Sequence, residues 1–175
     1  SLKSKLIRAR VDEVTNATEL STRFIDPFLT GLFDGPDQGI FFCLLCATLE
    51  AKPCADFTSS RPDLCITKCC GVKWKTSLAY GEAKFAVQEK HHFGLCKDLV
   101  KVAVFCKDAL DKELMQGVLG IQIIGRTVQL YLLTLPAKGL YVMTQLATVK
   151  IPDSLQTLAI LVIELPEVLK ILDVF

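Results

Sequence analysis

Asp63, Glu82 and Lys84 have the types and spacing to hold a divalent cation and a scissile phosphate together. Pro62-Asp63 is followed, after eighteen residues, by Glu82-Ala83-Lys84. Asp63 opens the short apolar run Leu64-Cys65-Ile66-Thr67, which reads as a strand. Glu82 and Lys84 close a second run, Trp74 to Phe85, that reads as another. Residues i and i+2 of a strand point to the same face, so Glu82 and Lys84 lie side by side, roughly 7 Å apart along the backbone. If the two strands pair as a hairpin, Asp63 at the start of one lies near Glu82 at the end of the other. Two carboxylates suit Mg²⁺, which takes oxygen ligands at about 2.0–2.1 Å and keeps several waters. The plain alternative is a turn residue and a solvent-facing Glu-x-Lys ion pair.

These residues need a scaffold, and the chain has one. Leu20, Phe24, Phe28 and the nearby Leu32 recur at helical spacing in the opening third, as do Leu2, Leu6 and Ile7. Asn16 and Thr18 are positioned to cap a helix near Ala17, with Glu19 in its first turn, and Pro27 is expected to kink or restart it. Gly31 to Gly39 reads as a loop, and Ile40 to Leu49 as a buried strand. After the motif strands, His91 to Leu114 keeps a helical beat through Leu95, Leu99, Val102, Phe105, Cys106 and Leu110, with Gly117 as its expected stop. Val118 to Ile124 and Thr127 to Leu135 form a hairpin around Gly125-Arg126. Leu140 to Lys150 reads as a further strand. Ser154 is expected to cap a last helix that reaches about Leu172, bent or broken near Pro166.

The motif in this setting resembles the PD-(D/E)xK nuclease superfamily, whose core runs helix, three strands, helix, strand. The resemblance covers about Ala17 to Leu135. It implies an α/β fold: a restriction-endonuclease-like core with a central mixed β-sheet flanked by helices (αβββαβ), extra C-terminal strands and a helix, in one domain over 1–175. The stretches Thr22 to Pro27, Gly81 to Lys84 and Lys138 to Met143 are similar to fungal proteins carrying this nuclease-like domain. The implied activity is Mg²⁺-dependent phosphodiester hydrolysis, Mn²⁺ substituting, with DNA the expected substrate. Asp63 and Glu82, joined by the Ala83 backbone carbonyl, would be the metal ligands. Lys84 would orient or help deprotonate the attacking water and offset charge on the phosphate.

Superfamily members also carry an acid on the first core helix, and Glu19 stands on that element, with Glu13 and Asp26 as rivals. Arg23, one turn on, would reach a phosphate or simply pair with Glu19. Gln88 and Lys90 follow the second motif strand where polar groups contact substrate. Lys97 and Lys101 line the same groove or a solvated helix face. His91-His92 has no evident metal partner.

The bulk numbers set the limits. At 175 residues, 51% hydrophobic, the chain is large enough to bury a core. Its mean hydropathy of +0.40 is high for a soluble protein. No apolar stretch approaches the roughly 20 residues that cross a bilayer. The first residues are a charged amphipathic run and not a signal peptide. The chain opens without Met, as expected of a piece of a longer protein. A net charge of +1 gives no overall pull toward nucleic acid, so binding falls to a local patch such as Lys68, Lys73, Trp74 and Lys75. Eight cysteines include Cys43 and Cys46 at CxxC spacing, but within an apolar run and without the second close pair a zinc site wants. Reduced thiols of an intracellular protein are the expectation, in nucleus or cytoplasm. The apolar content leaves room for a homodimer, and the competing reading is an inactive nuclease-like domain that binds nucleic acid or protein.

Overall fold

The computed structural model describes residues 19–44, 61–70 and 73–174. The readings at Leu2, Leu6, Ile7, Glu13, Asn16, Ala17 and Thr18, the second half of the Ile40 to Leu49 run, Cys46, and the side chains of Lys73, Trp74 and Lys75 lie outside the described residues.

One six-stranded mixed sheet runs in chain order from edge to edge. β1 (Ile40–Leu44), β2 (Leu64–Cys70) and β3 (Lys73–Lys84) make an antiparallel meander. A 22-residue helix, α2 (His92–Glu113), then carries the chain back so that β4 (Gly117–Ile124) lies parallel to β3. A helical crossover is what a parallel neighbour demands. β5 (Thr127–Ala137) and β6 (Leu140–Lys150) complete the sheet antiparallel. Before the sheet, a π-helical turn, Leu20–Ile25, leads into α1 (Asp26–Phe33); after it comes α3 (Leu158–Val174). The fold is α/β, a mixed sheet flanked by helices.

The sequence patterns explain the layering. β4 is buried along Val118 to Ile123, the near-continuous apolar run of a strand covered on both faces. Leu119, Ile121 and Ile123 join Leu64, Ile66, Ala79, Val128 and Leu130 on one face, under Phe24, Ile25, Phe28 and Leu29 from the α1 side and Val168 and Ile171 of α3. Val118 and Leu133 point the other way, against Val102, Cys106, Ala109 and Leu110 of α2. Those four helix residues recur at the spacing of a single stripe. Several apolar side chains of α3 face outward, Val162 and Ile163 most of all.

Three local expectations are corrected, and one holds. Gly117 does not stop α2: the helix ends at Glu113, and Leu114 takes the left-handed conformation, φ 52°. Gly117 instead opens β4, where a Cβ would stand 2.9 Å from Leu132 Cδ1. The Gly31 to Gly39 loop is shorter than its glycines suggest, because Phe33 is drawn into the core and extends α1. Pro27 does restart the helix as expected, sitting in the first turn of α1 where a missing N–H is tolerated. Pro166 lies within α3, which continues through it, and Ser154 accepts from the Thr157 backbone N–H one turn before α3 begins.

Candidate active site

Asp63 and Glu82 are brought together by strand pairing. Leu64 of β2 is in register with Gly81 of β3, and the Asp63 N–H donates to the Gly81 carbonyl at 3.0 Å. Asp63 Oδ2 in turn accepts from the Ala83 N–H at 2.9 Å, which fixes the carboxylate at the mouth of the hairpin. Gly81 permits the close approach of β4 to β3, since a Cβ there would fall 2.5 Å from the Ile121 carbonyl oxygen.

Alternation along β3 then sends Tyr80, Glu82 and Lys84 to the α2 side of the sheet. The sheet's α2 face therefore has two ends. At one, Val102 and Cys106 pack on Val118; at the other, the helix meets Glu82, Lys84 and the register partner of Glu82, Gln122. Gln122 is buried and its Nε2 donates to the Leu95 carbonyl at 2.8 Å, tying β4 to the first turns of α2.

Two residues of α2 pair crosswise with the motif. Lys101 Nζ lies 2.6 Å from Glu82 Oε1, and Asp98 Oδ2 lies 3.6 Å from Lys84 Nζ. Glu82 is only 2% exposed. The Lys101 ammonium aims its aligned hydrogen bond elsewhere, at the Arg61 carbonyl, 2.9 Å away. The ion pair is thus short but off the angle of a hydrogen bond. Among the described residues, Glu82 Oε1 and Asp98 Oδ2 are buried side-chain oxygens with no hydrogen-bond donor. Such oxygens are costly unless something else satisfies them.

Burial pushes the Glu82 carboxyl up to about 7, the Lys101 contact pulls against this, and the nearby charges of Asp63 and Asp98 add to the rise. Three carboxylates thus share one corner with two ammonium groups. Lys101 also lies 5.8 Å over the Phe105 ring, which packs on Tyr80 at 5.7 Å between centroids, so an aromatic pair separates the charged end from the apolar one.

The remaining candidates stand apart. Glu19 pairs with Arg23 at 2.7 Å, and the turn that carries them packs through Leu20, Phe24 and Ile25 on the opposite face of the sheet. Gln88 is exposed in the 3₁₀ turn Ala86–Gln88, and Lys90 and Lys97 are exposed. His91 serves the helix: its Nδ1 accepts from the Gly94 N–H at 3.2 Å and caps α2. Lys68 is exposed on β2. Of the described cysteines, Cys65 and Cys106 are buried, Cys43 and Cys69 are half-buried and Cys96 is exposed.

Asp98 and Gln122 escape the motif reading. Their signals in the sequence are slight: an acid one turn before Lys101, and one polar residue inside an apolar strand. Among the described residues no group of three or more His, Cys, Asp or Glu is arranged to hold a metal ion. The donor chemistry nonetheless fits a hard cation, because Glu82 offers a buried oxygen lacking a donor and Asp63 holds the segment beside it. Comparison with protein-family models, with curated proteins and with solved structures returns no match for this chain.

Proposed function

We propose that this domain is a Mg²⁺- or Mn²⁺-dependent nuclease of restriction-endonuclease-like fold that hydrolyses phosphodiester bonds, DNA first among its substrates. The observation that carries the reading is the buried Glu82 carboxylate, held beside Asp63 with one oxygen lacking a donor. The order of a helix, three antiparallel strands, a helix and a parallel strand supports the same reading. No helix among the described residues is long and apolar enough to cross a membrane. Cysteines packed in the core as small hydrophobes, Cys65 and Cys106, suit an intracellular setting.

Asp63 and Glu82, with the Ala83 carbonyl, would hold the cation. When bound, it would supply Lewis acidity at the phosphoryl oxygen and a more acidic water. Lys84 would orient that water toward phosphorus and offset the charge that builds as the P–O ester bond breaks, with Asp98 steering its ammonium. Gln88 would meet substrate from the exposed turn beyond β3.

The test is cleavage of supercoiled plasmid and labelled single strands in Mg²⁺ and in Mn²⁺, with Lys84→Ala as control. Cutting that needs metal and disappears in the variant is the expected result. No cutting under either metal, or equal cutting by the variant, would sink the catalytic assignment. One observation favours a second reading, an inactive module that binds nucleic acid or protein. The carboxylates already have lysine partners, as they would in a scaffold that never binds metal. The apolar outer face of α3 would then serve a partner or a second copy.

A further inference from the structure

Lys101 is the side chain that the nuclease reading leaves least explained. A lysine meant only for substrate would be expected to project into solvent, yet this one turns inward and its side chain is 18% exposed. Its ammonium touches two segments at once: Glu82 Oε1 on β3 and the Arg61 carbonyl just before β2. Arg61 is two residues from Asp63, so the ammonium bridges the gap between the two segments that carry the acidic ligands.

The alignment of the contacts is informative. The better-directed hydrogen bond goes to the Arg61 carbonyl, while the contact with Glu82 Oε1 is a short charge pair. A carboxylate oxygen held by a charge pair can accept another cation in place of the ammonium. Lysine suits a reversible role, because its charge is a compact point on a flexible four-carbon stem. Charge balance points the same way. With Glu82 ionised, Asp63, Glu82 and Asp98 face Lys84 and Lys101, which leaves one net negative charge. A divalent ion added with Lys101 still in place would crowd two cations onto one buried oxygen.

From this geometry we infer that Lys101 is a surrogate cation that a divalent ion displaces from Glu82 on binding, after which the freed ammonium faces solvent and any bound phosphate. The inference rests on the metal-site reading above, and it makes metal uptake an exchange of cations in place of simple filling.

The experiment is calorimetric titration of the full chain with Mn²⁺, wild type against Lys101→Met. With the competing ammonium gone, the variant is expected to bind Mn²⁺ about tenfold tighter or more, 1.4 kcal/mol per factor of ten. A second measurement needs no variant: brief acetylation of lysines, read by mass spectrometry, with and without saturating Mn²⁺. Lys101 labelling should rise severalfold on metal addition, while the exposed Lys107, paired with Asp111, stays constant as reference. Wild type that binds Mn²⁺, with equal or weaker binding by Lys101→Met or no rise in Lys101 labelling, overturns the exchange and leaves the metal site standing. Absence of Mn²⁺ binding in both proteins overturns the metal site, and the exchange falls with it.

Discussion

Two partly buried ion pairs in this molecule use the same chemistry to opposite ends. Arg126 and Asp153 meet at 2.8 Å where the β4–β5 turn touches the segment before α3. Every group there is directed: Arg126 also donates to the Ile151 carbonyl, and the Thr157 hydroxyl donates to Asp153 Oδ1. Burial works to raise the Asp153 carboxyl, but the Thr157 hydrogen bond and Arg126 outweigh it and hold the group below its ordinary range. The Glu82–Lys101 pair is shorter, yet it leaves an oxygen without a donor and a carboxyl pushed up to about 7. A pair that only staples the fold is completed by its surroundings. The proposed metal site would account for a pair left incomplete in the interior.

The contrast between the two pairs is tested hardest at Glu82. Glu82→Gln should reduce metal-dependent cleavage on the order of 10³-fold, since it removes the buried charge on which the metal reading rests. Initial rates on plasmid would show this, and retained activity would reduce Glu82 to a structural group.

The next effect is on stability against pH. Folding raises the Glu82 pKa from 4.5 to about 7, so the native protein binds this proton more readily than the unfolded chain. Its contribution is full below about 4.5 and is lost as pH rises through about 7. That amounts to a decline on the order of 3 kcal/mol by about pH 8. Burial sets most of its size, and the charges of Lys101, Asp63 and Asp98 adjust it. Urea unfolding at about pH 5 and about pH 8 should show the decline in wild type and not in Glu82→Gln. Asp153 has the opposite sign, its stabilisation being lost as pH falls through its depressed pKa.

Asp153→Ala should cost about 2 kcal/mol by leaving Arg126 and Thr157 without their partner, with cleavage rates unchanged. Denaturation midpoints paired with initial rates would check both halves. The smallest effect belongs to Arg23→Ala. Its pair with Glu19 is partly solvated and lies within one turn, so thermal unfolding should shift by less than about 0.5 kcal/mol.

Much of the sheet is legible in the sequence because its signals are local. The Gly125-Arg126 turn between two apolar runs announces β4 and β5, and the alternation along Leu140 to Lys150 announces β6. Asp63 beside Glu82 is legible for the same reason, since a hairpin turns spacing into proximity. The crosswise contacts of Asp98 and Lys101 are not. They depend on how α2 is rotated over the sheet and how far along it sits, and periodicity marks only the stripe of Val102, Cys106 and Leu110. The placement of Glu19 depends likewise on which face the α1 side covers, which no spacing encodes.

The parallel pairing of β3 with β4 also bears on the order of assembly. Glu82 is in register with Gln122, a residue forty positions later, and α2 must be laid across the sheet between them. Contacts so distant in sequence form late, after the entropy of closing the intervening chain has been met. A ribosome that has released only the motif strands has therefore made the acidic residues without the helix that shields them. The chain acquires its most sensitive corner last, and a break anywhere in α2 would leave Glu82 a solvated glutamate on an unfinished sheet.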